Sequence, residues 1–175
     1  MHRIAYDAGR LVEHQGDTLA DLDRQPVDLP QVWIDVQGLA DLDLIRALGE
    51  RYGLHPLTIA DVVHVNQRPK VDTYGDHLFI VLRLPHQEDR LSTEQLSIVL
   101  GRGFVLTFQE QPGDCFEPVR ERLRHAGRQI RSRGVDYLAY ALIDALIDSY
   151  FPILERLGEQ IEGMEQQVIA APDPD

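Results

Sequence analysis

An apolar stripe near the C-terminus constrains this chain more than any other feature. From Asp136 onward it runs through Leu142, Leu146, Ile153, Leu157, Ile161, Met164 and Val168. Steps of three, four and seven keep these side chains on one face of a helix. Asp144, Asp148, Glu155, Glu159 and Glu162 fall on the other face. Pro152 interrupts the pattern and predicts a kink, because proline lacks an N–H and crowds the carbonyl four residues back. Up to Phe151 the helix is apolar nearly all round and reads as buried. Beyond Pro152 a single apolar stripe lies against a strongly acidic face. Such a helix needs a partner helix, and none follows before Asp175. The chain therefore reads as a piece of a longer protein.

The upstream residues alternate more than they cycle. Arg3–Asp7 and Arg10–His14 read as weak strands around Gly9, and Thr18–Pro30 as a polar connection with turns at Pro26 and Pro30. Val32–Val36, with Trp33, is a strand; Leu39–Tyr52 has helical spacing and a stop at Gly53. His55-Pro56 opens a short helix to about Val63, with proline in a position helices accept. Lys70–Tyr74, His77–Leu84, Gln95–Leu100 and Phe104–Gln109 follow as strands. Their turns are Gly75-Asp76, Pro85–Arg90 and Gly101–Gly103. Phe116–Arg124 is a short amphipathic helix. Trp33, Phe79 and Phe104 read as the core of the sheet.

Composition excludes several classes. Hydrophobic residues are 43% and charged residues 26%, ordinary for a globular chain, and 175 residues suit one domain. The single cysteine, Cys115, rules out an internal disulfide and a multi-cysteine zinc site. MHRIAYDAGR has no long apolar region and is not a secretory signal. The best uncharged runs, Tyr137–Ile143 and His77–Leu82, fall short of the roughly 18 residues a spanning helix needs. A net charge of −12 argues against nucleic acid, whose binding rests on neutralising phosphates. Glu117–Arg133 holds six arginines and two glutamates, whereas Ala141–Asp175 holds eight acids and one arginine. That asymmetry predicts either contact within or between subunits, or two separately solvated surfaces.

Catalytic signatures are missing: there is no Gly-x-Ser-x-Gly, no phosphate-binding glycine loop and no His-Glu-x-x-His. Asp61 and His64 are three apart on a short helix and could share a metal, but two ligands make a poor closed site. Arg68 and Lys70 could pair with acids on the C-terminal helix.

Several blocks resemble one family. Gly-Leu-His-Pro-Leu-Thr-Ile-Ala-Asp-Val at 53–62, Asn-Gln-Arg-Pro-Lys-Val-Asp at 66–72 and Glu-Gln-Leu-Ser at 94–97 look like the CorA magnesium channels. So do Phe-Val-Leu-Thr-Phe-Gln-Glu at 104–110, Pro-Val-Arg-Glu-Arg at 118–122 and the run at 136–151. The blocks come in the family's order and cover roughly Val32 to Val168.

The resemblance implies a homopentameric channel for divalent cations, Mg²⁺ and also Co²⁺ or Ni²⁺, at the cytoplasmic face of the inner membrane. It implies a three-layer α/β/α sandwich around a mixed sheet of six to seven strands, followed by a long acidic C-terminal helix. The division would be a regulatory domain at 1–134 and a helix at 135–175 leading to stalk and membrane helices. Neither those helices nor the family's Gly-Met-Asn motif lies in this sequence. Alone, the chain is expected to be soluble, and monomeric or weakly associated.

Regulation in such channels runs through Mg²⁺ between neighbouring cytosolic domains, which favours the closed state. Asp61 matches the primary interface aspartate, with its partner on a neighbour's stalk. Asp144 matches an aspartate of a second site, which also uses a glutamate where this chain has Ala60. That departure puts the second site in doubt. Mg²⁺ prefers oxygen ligands and keeps several waters, so one or two carboxylates per subunit hold it weakly. Three other readings stand. A related zinc transporter would want several nitrogen or sulfur ligands. A hydrolase would use Asp61, Asp144 and Asp148. A plain interaction domain would use none of these residues for metal.

Overall fold

The computed structural model describes residues 1–23, 28–87, 91–125 and 129–170. Seven strands form one sheet: β1 (His2–Tyr6), β2 (Leu11–Gln15), β3 (Gln31–Gln37), β4 (Lys70–Tyr74), β5 (His77–Gln87), β6 (Leu91–Gly101) and β7 (Phe104–Gln109). Their spatial order is β2-β1-β3-β7-β6-β5-β4. Only β3 and β7, at the centre, pair parallel; the other neighbours are antiparallel.

Both faces of the sheet are covered. Alternate side chains of a strand point to opposite faces. Trp33, Ile80, Ile98 and Val105 pack in one cluster with Phe116, Val119, Leu123, Leu138 and Leu142. These come from α4 (Glu117–Arg124) with its capping residue Phe116, and from α6 (Val135–Asp148). Their sequence neighbours Ile34, Val81, Val99 and Leu106 pack on the other face with Leu22, Ile45, Leu48 and Val62. These belong to α1 (Leu19–Asp23), α2 (Leu42–Arg51) and α3 (Pro56–Val63). The result is the expected α/β/α sandwich around a mixed sheet. Trp33 and Phe79 are fully buried, while Phe104 is half-buried.

Several boundaries differ from expectation. Within Thr18–Pro30 the chain forms the short helix α1, where the Thr18 hydroxyl and the Asp21 carboxylate cap each other's backbone N–H groups. α2 starts at Leu42 rather than Leu39, because the Asp41 side chain accepts from Leu44 N and fixes the first turn. β5 continues through Pro85 and β6 begins before Gln95, with Pro85 opposite Thr93. His86 and Gln87 of the predicted Pro85–Arg90 turn continue β5 opposite Ser92 and Leu91, while 88–90 and the turn at Pro26 lie outside the described residues. A one-turn helix, α5 (Gln129–Ser132), precedes α6.

The long helix is two helices. α6 ends at Asp148 and α7 (Phe151–Ala170) begins beyond Tyr150. Pro152 accounts for the break, since its ring would crowd the Asp148 carbonyl. By length and composition alone, Val135–Ile169 is apolar enough to cross a membrane, which counting only uncharged runs did not show. Leu138, Ala139, Ala141, Leu142 and Leu146 of α6 are nevertheless packed in the sandwich core.

Part of the arginine-rich segment faces inward. Arg120 pairs with Asp35 and Asp114, and Arg124 with Glu13, Glu117 and Glu121. Arg131 donates to the carbonyls of Leu123 and Arg124 at the end of α4. Three of the six arginines thus serve α4 and its contact with the sheet, not the acidic face of α7.

Candidate metal centre

α3 is built to end in a defined place. His55 Nδ1 accepts from Leu57 N at 3.2 Å and Pro56 takes the first helical position. Thr58 Oγ1, buried, lies 3.0 Å from His77 Nε2 and ties the helix to β5. Burial, then the neighbouring His55, holds the His77 imidazole below its ordinary range. At the other end, Gln67 Nε2 donates to the carbonyls of Asp61 (2.8 Å) and His64 (3.0 Å). Gln95 Nε2, from β6, donates to the same Asp61 carbonyl at 3.2 Å, and Gln95 Oε1 accepts from Gln67 N. The Asn-Gln-Arg-Pro-Lys block therefore clips the last turn of α3 onto the sheet and satisfies its free carbonyls.

This clip fixes the Asp61 backbone. Its side chain is 24% exposed, and Lys70 Nζ donates to Asp61 Oδ2 at 2.6 Å. The same ammonium lies 2.8 Å from Asp72 Oδ2 and 5.6 Å from the centre of the Phe79 ring. Hydrogen bonding to Asp61, then to Asp72, holds the Lys70 ammonium well above the ordinary lysine range. Lys70 pairs here, not with the C-terminal helix. Lys70 and Asp72 are two apart on β4 and so share a face.

The other predicted residues lie elsewhere. Ala60 and His64 are exposed, and no bond joins His64 to the Asp61 carboxylate among the described contacts. Asp144 is half-buried on α6, where it accepts from Tyr140 OH at 3.5 Å. α3 and α6 cover opposite faces of the sheet, so one chain does not bring Asp61 and Asp144 together. Among the described residues, no three His, Cys, Asp or Glu side chains are grouped to hold a metal. Asp61 and Asp72 are hard oxygen donors at the surface, which fits a hydrated Mg²⁺ needing further ligands from outside the chain. Cys115 is half-buried before α4, and burial pushes its thiol up to about 11.

A second polar constellation was not legible. Asp35 on β3 accepts from Thr107 Oγ1 at 2.6 Å and from Arg120 Nη2 at 2.9 Å. Trp33 Nε1 donates to the same threonine hydroxyl at 3.0 Å. Its partners are up to 85 residues apart in sequence, and no local pattern joins them. It couples α4 to the sheet.

Comparison with known proteins agrees with this fold. The family model described as CorA-like Mg²⁺ transporter protein matches residues 31–175. The cobalt/magnesium transport protein CorA of Thermotoga maritima is 42% identical over 144 residues, covering 81% of this chain and 41% of that protein. The chain therefore spans less than half the length of that relative. The soluble domain of CorA from Methanocaldococcus jannaschii superposes with a TM-score of 0.75 at 18% identity, covering 99% of this chain and 66% of that one. The ZntB cytoplasmic domain from Vibrio parahaemolyticus gives 0.70 at 15% identity, over 93% of this chain and 64% of that one. The last two show the fold alone, whereas the family model and the Thermotoga relative show descent: this chain belongs to the CorA-like Mg²⁺ transporter family.

Proposed function

We propose that this chain is the cytosolic sensing portion of a divalent-cation channel, and that Asp61 contributes a carboxylate to a Mg²⁺ site between neighbouring copies. The observation that carries the reading is the placement of Asp61. Gln67 and Gln95 hold its backbone from two directions, and its carboxylate remains partly open at the end of α3. One fixed carboxylate gives a weak site alone, and a partner's ligand would complete it. Bound Mg²⁺ neutralises acidic surfaces that would otherwise repel, and so favours the closed assembly. A pentamer in the intact protein, attachment to the inner membrane through segments outside this chain, and the absence of enzymatic turnover belong to the same reading. Asp144 serves a second such site, altered by Ala60. The oxygen-rich chemistry around Asp61 favours Mg²⁺ over Zn²⁺.

The test is channel current against cytosolic Mg²⁺ in the intact protein. Asp61→Ala should weaken closure by Mg²⁺ and leave ion selectivity unchanged. Asp61→Lys should favour closure, because a tethered cation replaces the ion. Three superimposable curves would reduce Asp61 to a surface carboxylate.

A further inference from the structure

We infer that Lys70 is a built-in competitor of the cation at Asp61, so that a divalent ion must displace its ammonium to reach the carboxylate. The inference rests on the reading of Asp61 given above and names the residue that sets the affinity of that site. Lys70 Nζ stands 2.6 Å from Asp61 Oδ2 and 2.8 Å from Asp72 Oδ2. One ammonium therefore neutralises two carboxylates on different elements, α3 and β4. A divalent ion ligated by Asp61 would sit within a few ångströms of that ammonium, and two like charges so close in a partly desolvated site repel.

The arrangement is stiff. Lys70 and Asp72 project from the same face of β4, whose register with β5 places Lys70 opposite Val81 and Asp72 opposite Phe79. The Phe79 ring, fully buried, lies beneath the ammonium. The Asp61 end is held by Gln67 and Gln95. Lys70 is thus set on Asp61 by the fold rather than by chance contact of two surface chains. Its effect is to raise the ion concentration at which the site fills, and to free Asp72 beside Asp61 once the ammonium has left. A pair that merely pins β4 to α3 would change stability and leave affinity alone.

The two roles separate in a Mg²⁺ titration of the intact protein, followed by calorimetry at low ionic strength, for wild type, Lys70→Met, Asp61→Asn and the double variant. Lys70→Met should bind Mg²⁺ roughly three- to tenfold more tightly than wild type, the range expected when partly exposed ion pairs no longer compete. Adding Asp61→Asn should abolish that gain. Lys70→Gln serves where the methionine variant does not fold. In wild type, Mg²⁺ should also move the Lys70 Nζ resonance toward that of a solvated lysine, and should not do so in Asp61→Asn. If Lys70→Met and Lys70→Gln bind as wild type does while Asp61→Asn weakens binding, Lys70 is structural and the Asp61 reading stands. If Asp61→Asn is also indifferent, that reading falls and the competitor role with it.

Discussion

Arg120 and Asp35 form a buried ion pair, Nη2 to Oδ2 at 2.9 Å, with the guanidinium 5.1 Å from the Trp33 ring. Arg120 Nη1 also donates to Asp114 Oδ1 at 2.8 Å, so one side chain joins β3, the loop before α4, and α4 itself. Removing one member of a buried pair leaves the other charge desolvated and uncompensated. Arg120→Ala should destabilise the fold by about 3–5 kcal/mol, read from denaturant unfolding. Arg120→Lys should recover little, because an ammonium cannot bridge two carboxylates in a planar fork. A loss near zero would mean that solvent reaches this cluster.

The same cluster gives stability a pH dependence of unusual sign. Burial, reinforced by the charge of Asp114, raises the Asp35 carboxyl to about 6, against the opposing pull of Thr107 and Arg120. An unfolded chain releases that proton near the ordinary value of 3.8. Between these values the folded state binds more protons, so stability falls as pH rises. The contribution from Asp35 is complete below the lower value and is lost through the upper one. Asp114 is shifted the other way, mainly by Arg120 against its own burial, and acts below this window. Asp35→Asn should flatten the slope between about pH 4 and 6. Parallel curves for wild type and variant would remove Asp35 as its source.

Much of the sandwich was readable because its physics is local. Alternation at Trp33/Ile34, Ile80/Val81 and Val105/Leu106 feeds two buried faces, and the same alternation is visible in the letters. Helix α1 was missed because five residues hold too little periodicity, and a single buried Leu22 anchors it. Strand β5 was cut short at Pro85 because proline reads as a breaker. The site divides the same way. Asp61 stands out through a block of motif, whereas the sequence leaves its ammonium partner nine residues on free to pair with acids of another helix. Pairing between a helix end and a neighbouring strand depends on how they dock, and no period records that.

Glycines separate strained from unstrained backbone. Gly103 has φ +80°, and a Cβ built there would stand 2.9 Å from the Pro30 carbonyl oxygen. Gly103→Ala meets both a disfavoured conformation and a backbone clash. It should lower stability by about 1–3 kcal/mol, seen as a lower melting temperature. Gly158 lies inside α7 with open space around it. Gly158→Ala should instead raise helicity and favour α7 by about 0.5–1 kcal/mol, measured by amide hydrogen exchange along that helix. Effects of the same sign at both positions would contradict the backbone assignment.

The two halves of the C-terminal apolar stripe should respond differently to substitution. Leu142 on α6 is fully buried between the sheet and α4. Leu142→Ala removes packed methyl groups and leaves a cavity, so it should cost about 2–5 kcal/mol. Leu157 and Ile161 continue the same helical spacing on α7, yet they are 39% and 53% exposed. Replacing either with glutamate removes little packing within the chain and should change its stability by no more than about 0.5 kcal/mol. Denaturant unfolding of the three variants decides the matter. Similar losses at all three positions would mean that the α7 stripe is covered within the folded chain. A large loss at Leu142 alone would locate the edge of the sandwich core at the Pro152 break.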